Sequence, residues 1–237
     1  MAIAFDAASD TTLIDGTSVQ TLTWQHVVGA GANRILIVCI TGEDSTSSDV
    51  NVASVTWNGT ALSQAVEKFQ TAQMSTIYYL IAPESGTFDI VVTFDGVGTS
   101  VAANATSWTG AKQSAQPDAI ASTGNGTAGA SIALDIVTVA ADCIIIDSLN
   151  SSSGGSSLTV QDAGQTQRAN ILIPDPTPNY RHGSSSEVGA GAGTYNLGWT
   201  FSPNSTTKAY CIASFSPFVE AGGSTKISKL ALMGVGT

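Results

Sequence analysis

Short β-rich runs, each closed by Gly, Asn, Asp, Ser or Pro, follow one another along the whole of this 237-residue chain, and helical periodicity is nearly absent. The runs are Leu22–Val28, Arg34–Ile40, Ala53–Trp57, Ser75–Ile81, Phe88–Phe94, Ser131–Val137, Cys143–Asp147, Tyr195–Phe201 and Ala209–Phe215. Their bounding residues supply the positive φ or the side-chain hydrogen bonds that turns require. Asn58-Gly59 and Asp95-Gly96 read as hairpin dipeptides. Gln64 to Ala72 has room for one helical turn but reads as a further strand. Many short strands at this spacing predict an all-β sandwich or barrel.

An internal repeat organises the runs. Gly86-Thr-Phe-Asp-Ile-Val-Val-Thr-Phe94 returns as Gly193-Thr-Tyr-Asn-Leu-Gly-Trp-Thr-Phe201, and Ala103–Trp108 returns as Tyr210–Phe215, both at an offset of 107 residues. Upstream, Arg34–Cys39 resembles Asp142–Asp147, and a Ser-rich loop follows each. This predicts two tandem antiparallel β-sandwich units of jelly-roll or Ig-like type, 1–112 and 119–218, with Ala111–Asp118 as the joint. The alternative is one large sandwich whose strands merely look alike.

After the second unit, 219–237 reads as a linker, Glu220–Thr225, and an apolar tail, Lys226–Thr237. Ile227, Leu230, Leu232 and Met233 would each cost roughly 1.5–3 kcal/mol to leave wet. The tail is therefore expected to dock, either on its own sheet or on a partner's sheet edge. With Lys226 these residues form the candidate partner anchor.

Charge narrows the partners. Lys and Arg number 8 against 18 Asp and Glu, giving a net charge of −10. Phosphate contacts need clustered cations, so nucleic acid is not the expected partner. The longest apolar run is Ile35–Ile40, far short of the about 20 residues a spanning helix needs. The opening residues carry no basic stretch and no long apolar core, and do not read as a secretory signal.

Candidate chemistry is sparse. His26 falls in a predicted strand and His182 in a predicted loop beside Arg181, with no metal-ligand spacing and no G-x-S-x-G elbow. Cys39, Cys143 and Cys211 lie in apolar runs and read as core thiols, with Cys39 and Cys143 in equivalent places. One disulfide is the alternative. Glu43, Asp44 and Asp49 cluster in a Ser-rich loop that has oxygen ligands for calcium but lacks the EF-hand pattern, so a solvated acidic loop is preferred. Asp175, between prolines, reads as turn chemistry. No carboxylate pair stands out for glycoside hydrolysis. Trp24, Trp57, Trp108 and Trp199 fit core packing. Tyr180, in a Pro-rich loop, is the expected exposed contact residue, together with Arg181. The Asn-x-Ser/Thr triplets at Asn58, Asn104, Asn125, Asn150 and Asn204 match glycosylation acceptors, which matter only on a secretory route.

One string of motifs carries a resemblance. Met1–Ala7, Asn33–Cys39, Val55-Thr-Trp-Asn-Gly-Thr-Ala-Leu62, Ile77–Pro83, Gly86–Thr93 and Ser107-Trp-Thr-Gly-Ala-Lys-Gln113 before Pro117-Asp118 occur in that order. The string resembles a poorly characterised family of β-sandwich proteins encoded by tailed bacteriophages, over about 1–218. The resemblance implies a non-enzymatic virion accessory protein, a capsid decoration or a head- or tail-fibre component. It carries over no catalytic, metal or cofactor-binding residue. A virion protein made in the host cytoplasm and acting as a homo-oligomer follows from it. The alternative is a carbohydrate-binding or adhesive module on a phage or cell surface, with loops 43–51, 150–157 and 174–192 making the contacts.

Overall fold

The structure is a computed structural model that describes residues 2–11, 14–43, 50–152, 157–173 and 180–220. It is all-β, with several antiparallel sheets. Among the described residues sixteen strands follow in chain order: β1 (Ala4–Asp10), β2 (Ile14–Val28), β3 (Ile35–Glu43), β4 (Val52–Trp57), β5 (Thr60–Ala61), β6 (Ser63–Gln70), β7 (Gln73–Ile81), β8 (Gly86–Thr109), β9 (Ala119–Asn125), β10 (Gly129–Thr138), β11 (Cys143–Ser152), β12 (Ser157–Val160), β13 (Thr166–Ile173), β14 (Tyr180–Gly189), β15 (Gly193–Ser205) and β16 (Lys208–Phe215).

β8 sets the architecture of the first half. Its 24 residues serve two layers. The stretch Gly86–Phe94 pairs with β2 and β4, whereas Ser100–Thr109 pairs with β3 and, over Asn104–Thr109, with β1; the start of β2 follows the strand across, with Asp15 and Ile14 paired to Ser100 and Val101. Ile90 and Val92 from the first stretch pack in one cluster with Ala103 and Ala105 from the second, so the strand folds over its own sheet. The crossing falls between Phe94 and Ser100. Asp95-Gly96 is therefore not a hairpin turn as expected, but part of a strand that runs on from one layer to the other. Asn58-Gly59 does form the expected turn, with φ of 45° and 75° and Trp57 paired to Thr60.

The outer layer of the first half is β2-β8-β4-β5, and its inner layer is β1-β8-β3-β7-β6. The second half repeats the order with β10-β15-β12 outside and β9-β16-β11-β14-β13 inside. Here the strand corresponding to β8 is split into β15 and β16. The two inner sheets lie face to face. Ile35, Ile37, Val66, Ile77 and Trp108 of the first half share one cluster with Ile144, Ile146, Ala213 and Phe215 of the second. Four layers thus enclose a core within each half and apolar packing between the halves.

This stacking explains the burial patterns. β2 alternates, with Leu22, Trp24, His26 and Val28 buried and Thr21, Thr23, Gln25 and Val27 exposed, because its sheet is covered on one face only. β3, β11 and β16 are buried at every residue because both faces of their sheets are covered. The four tryptophans are buried as expected. β1, β9, β12, β13 and β14 lie outside the apolar runs picked out above. β14, Tyr-Arg-His-Gly-Ser-Ser-Ser-Glu-Val-Gly, reads as a loop because it is rich in Ser and Gly, yet it is an inner strand facing a polar stretch of the neighbouring sheet.

Candidate functional site

The face between the two inner sheets, here called the seam, divides into an apolar and a polar end. The apolar end holds Ile35, Ile37, Trp108, Ile144, Ile146 and Phe215. Continuing along the same faces of β3, β11 and β14, the polar end presents Thr41 and Glu43, then Ser148 and Asn150, then His182 and Ser184. Strand alternation places them there, two residues apart beyond Ile37 and Ile146.

Hydrogen bonds cross the seam at this end. Asn150 Nδ2 donates to Gly42 O at 2.8 Å and to Met74 O at 3.2 Å. Ser75 Oγ donates to Ser148 O at 2.8 Å and lies 2.9 Å from Ser148 Oγ, which can donate back to it. Cys39 Sγ donates to Asp147 O at 3.5 Å. His182 Nε2 meets Asn104 Oδ1 at 2.8 Å, and Cys211 Sγ donates to Ser75 O at 3.1 Å. The last two contacts are reciprocal: the 107-residue offset that carries Asn104 to Cys211 also carries Ser75 to His182. Each half thus offers the same two strands to the other, the relation of a two-fold axis.

At the mouth of the polar end, the Tyr180 hydroxyl donates to Glu43 Oε1 at 2.6 Å. Tyr180 is 7% exposed, and its ring packs on Ile173 and on Ala102 of the other half. It is not the exposed contact residue expected, because position 180 opens an inner strand rather than continuing a loop. Arg181 is half-buried, and its Nη1 donates to Asn170 Oδ1 at 2.8 Å. His182 is likewise not in a loop but fully buried in β14, and burial lowers its pKa to about 3. Glu43 is turned inward rather than solvated, while Asp44, Asp49 and Asp175 lie outside the described residues. Among the described residues no group of three or more His, Cys, Asp or Glu is placed to hold a metal.

A second polar centre sits in the core of the second half. Asp147, fully buried, accepts hydrogen bonds from the Ser185 N–H at 2.6 Å, Ser185 Oγ at 2.8 Å, Tyr210 OH at 2.8 Å, Gln165 Nε2 at 3.1 Å and Trp199 Nε1 at 3.1 Å. Burial nevertheless outweighs these donors and raises its pKa to about 6. Composition gives no hint of this centre, since its donors come from four separate strands and loops. In the first half, His26 Nδ1 lies 2.8 Å from Ser9 Oγ, which also accepts from Trp24 Nε1 at 3.0 Å.

The three cysteines are free and buried, as read from the sequence. Their placement corrects one detail. Cys39 faces the seam and Cys143 starts β11, so the two are not equivalent; Ile35 matches Ile144 by the face it shares. A one-residue shift in a strand exchanges faces, and the apolar runs alone do not fix it.

The last described residues lie beside the joint. Ala111 and Pro217 form an isolated bridge, Lys112 N–H donates to Ser216 O at 2.9 Å and Phe218 N–H to Gly110 O at 2.7 Å. An open groove of about 440 Å³, lined by Lys112, Gln113, Ser114, Pro217, Phe218 and Val219, lies here. The anchor residues Lys226, Ile227, Leu230, Leu232 and Met233 lie outside the described residues.

No protein-family model, curated protein or solved structure matches the chain.

Proposed function

We propose that the protein is a non-enzymatic bacteriophage virion component, a capsid decoration or head- or tail-fibre protein held on the particle by protein–protein contacts. In this reading its halves are tandem jelly-roll or Ig-like units. The protein is displayed as a homo-oligomer on the virion surface after assembly in the host cytoplasm.

The observation that carries the reading is where the reactive side chains lie. Both histidines, all three thiols and Asp147 are in the interior. There they join strands and sheets to one another rather than facing a cleft. A body whose polar chemistry is used internally suits a scaffold that must keep its shape. The open groove beside residues 217–219 supports a protein contact at that end of the body.

Immunogold electron microscopy of purified particles tests the reading, with regular label on heads or tails expected. Label confined to cell surfaces, with bare particles, overturns it in favour of an adhesin. Deleting 222–237 is expected to abolish attachment while the thermal unfolding of the body is unchanged. A truncated protein that still decorates particles removes the anchoring role from the tail.

A further inference from the structure

We infer that the polar end of the seam is a hydration site that encloses ordered water between the two inner sheets, with His182 Nδ1 and Asn150 Oδ1 as its central acceptors. Four buried atoms on this face have no hydrogen-bond partner among the described residues: Thr41 Oγ1, Asn150 Oδ1, His182 Nδ1 and Ser184 Oγ. They belong to three strands and both halves, and each residue is at most 1% exposed. Buried polar side chains are nearly always paired, with protein or with water.

The chemistry of these atoms selects the occupant. His182 Nε2 faces the Asn104 carbonyl oxygen, so it carries the proton and Nδ1 is a bare acceptor. Asn150 uses its amide nitrogen on Gly42 O and Met74 O, so Oδ1 is also an acceptor. Asn150 and His182 are paired directly across β11 and β14. Two acceptors side by side cannot satisfy each other. Water brings two donors to such a pair and can accept from the hydroxyls of Ser184 and Thr41, within the two to four partners that enclosed waters make. A cation fits this set less well. Glu43, the carboxylate on this face of β3, is already engaged by the Tyr180 hydroxyl, and an unbalanced charge in a closed interior is costly.

The Tyr180–Glu43 pair, buried at the mouth, closes the site from the loop end. The apolar cluster of Ile35, Ile37, Ile144 and Ile146 bounds the other end. The seam is thus dry along one half and wet along the other.

The test is a crystal structure of the full chain that shows ordered solvent, together with ¹⁵N NMR of the histidine side chains. The expected result is an enclosed water within hydrogen-bond distance of Asn150 Oδ1 and His182 Nδ1. The His182 Nδ1 signal should then be shifted from that of a bare imidazole nitrogen toward that of a hydrogen-bonded acceptor. Replacing Ser184→Ala, which leaves both acceptors, should keep this water and reduce its partners. A dry seam with a bare Nδ1 signal overturns the proposal. So does direct pairing of Nδ1 with a protein donor, or density with the short, multiple oxygen contacts of a metal ion.

Discussion

Asn104 and His182, 78 residues apart in sequence, meet at 2.8 Å between the two halves of the chain. Their equivalents across the repeat, Cys211 and Ser75, meet at 3.1 Å through a thiol and a carbonyl. The pair of positions is kept while the atoms that meet differ, so one side of the two-fold is a polar side-chain pair and the other a weaker thiol–backbone contact.

Asn104→Ala therefore leaves His182 Nε2 without its acceptor in a fully buried place. A loss of about 1–3 kcal/mol in urea unfolding is expected. The double replacement of Asn104 and His182 by Leu should cost less than the sum of the two single changes, because it leaves no orphaned donor. Additive costs would show that the two side chains do not interact.

Acid should weaken the fold, and the buried groups give the window. Burial lowers the pKa of His182 to about 3 and that of His26 to about 4, from an ordinary value of 6.5. Their contribution is complete above pH 6.5 and is lost as pH falls toward those values. Asp147 has the opposite sign: its pKa is raised from 3.8 to about 6, so its contribution is present below 3.8 and is lost as pH rises through 6. At pH 4 the two histidines together outweigh the return from Asp147, and Asp118, whose pKa is lowered, adds to the loss relative to pH 7. Urea titrations across this range should show that fall. Asp147→Asn should steepen it, and His182→Asn should make it shallower.

Thiol chemistry should be closed in the native state. Burial pushes the Cys143 pKa up to about 12 and holds Cys39 and Cys211 well above their ordinary value. A thiolate reagent at mildly alkaline pH is expected to label no cysteine in the native protein and all three in concentrated guanidinium. Rapid native labelling of Cys39 or Cys211 would mean that the seam opens.

Much of the architecture was legible in the sequence because apolar content and strand structure coincide in most places. Arg34–Ile40 reads as a strand, and the 107-residue offset between β8 and its counterparts survives as shared strand order. Reading failed where the interior is polar. The Ser-Ser-Ser of β14 satisfies every local criterion for a loop, and only the facing Ser148 and Asn104 make it an inner strand. Tyr180 was misread for the same reason, since its burial depends on Glu43 and Ala102, which local sequence cannot place beside it. Asp95-Gly96 has turn composition, but the strand runs on through it, which only the pairing of both flanks shows.

Two glycines separate conformational cost from crowding. Gly59 has φ of +75° and Gly110 of +77°, so alanine at either enters the left-handed region at about 1–2 kcal/mol. A Cβ at Gly59 meets nothing within 4 Å, whereas at Gly110 it falls 2.3 Å from the Ala2 carbonyl oxygen. Backbone cannot yield there as a flexible side chain would, because Gly110 N–H donates to Ala32 O and its carbonyl accepts from Phe218 N–H. Gly59→Ala should lower stability by that conformational cost alone, and Gly59→Asn by less, since Asn tolerates this region. Gly110→Ala should cost about 3 kcal/mol or more. It should also speed hydrogen exchange at Phe218, whose N–H is held by Gly110. Equal costs at the two positions would show that the N-terminal segment gives way without loss and that Ala2 does not brace the joint.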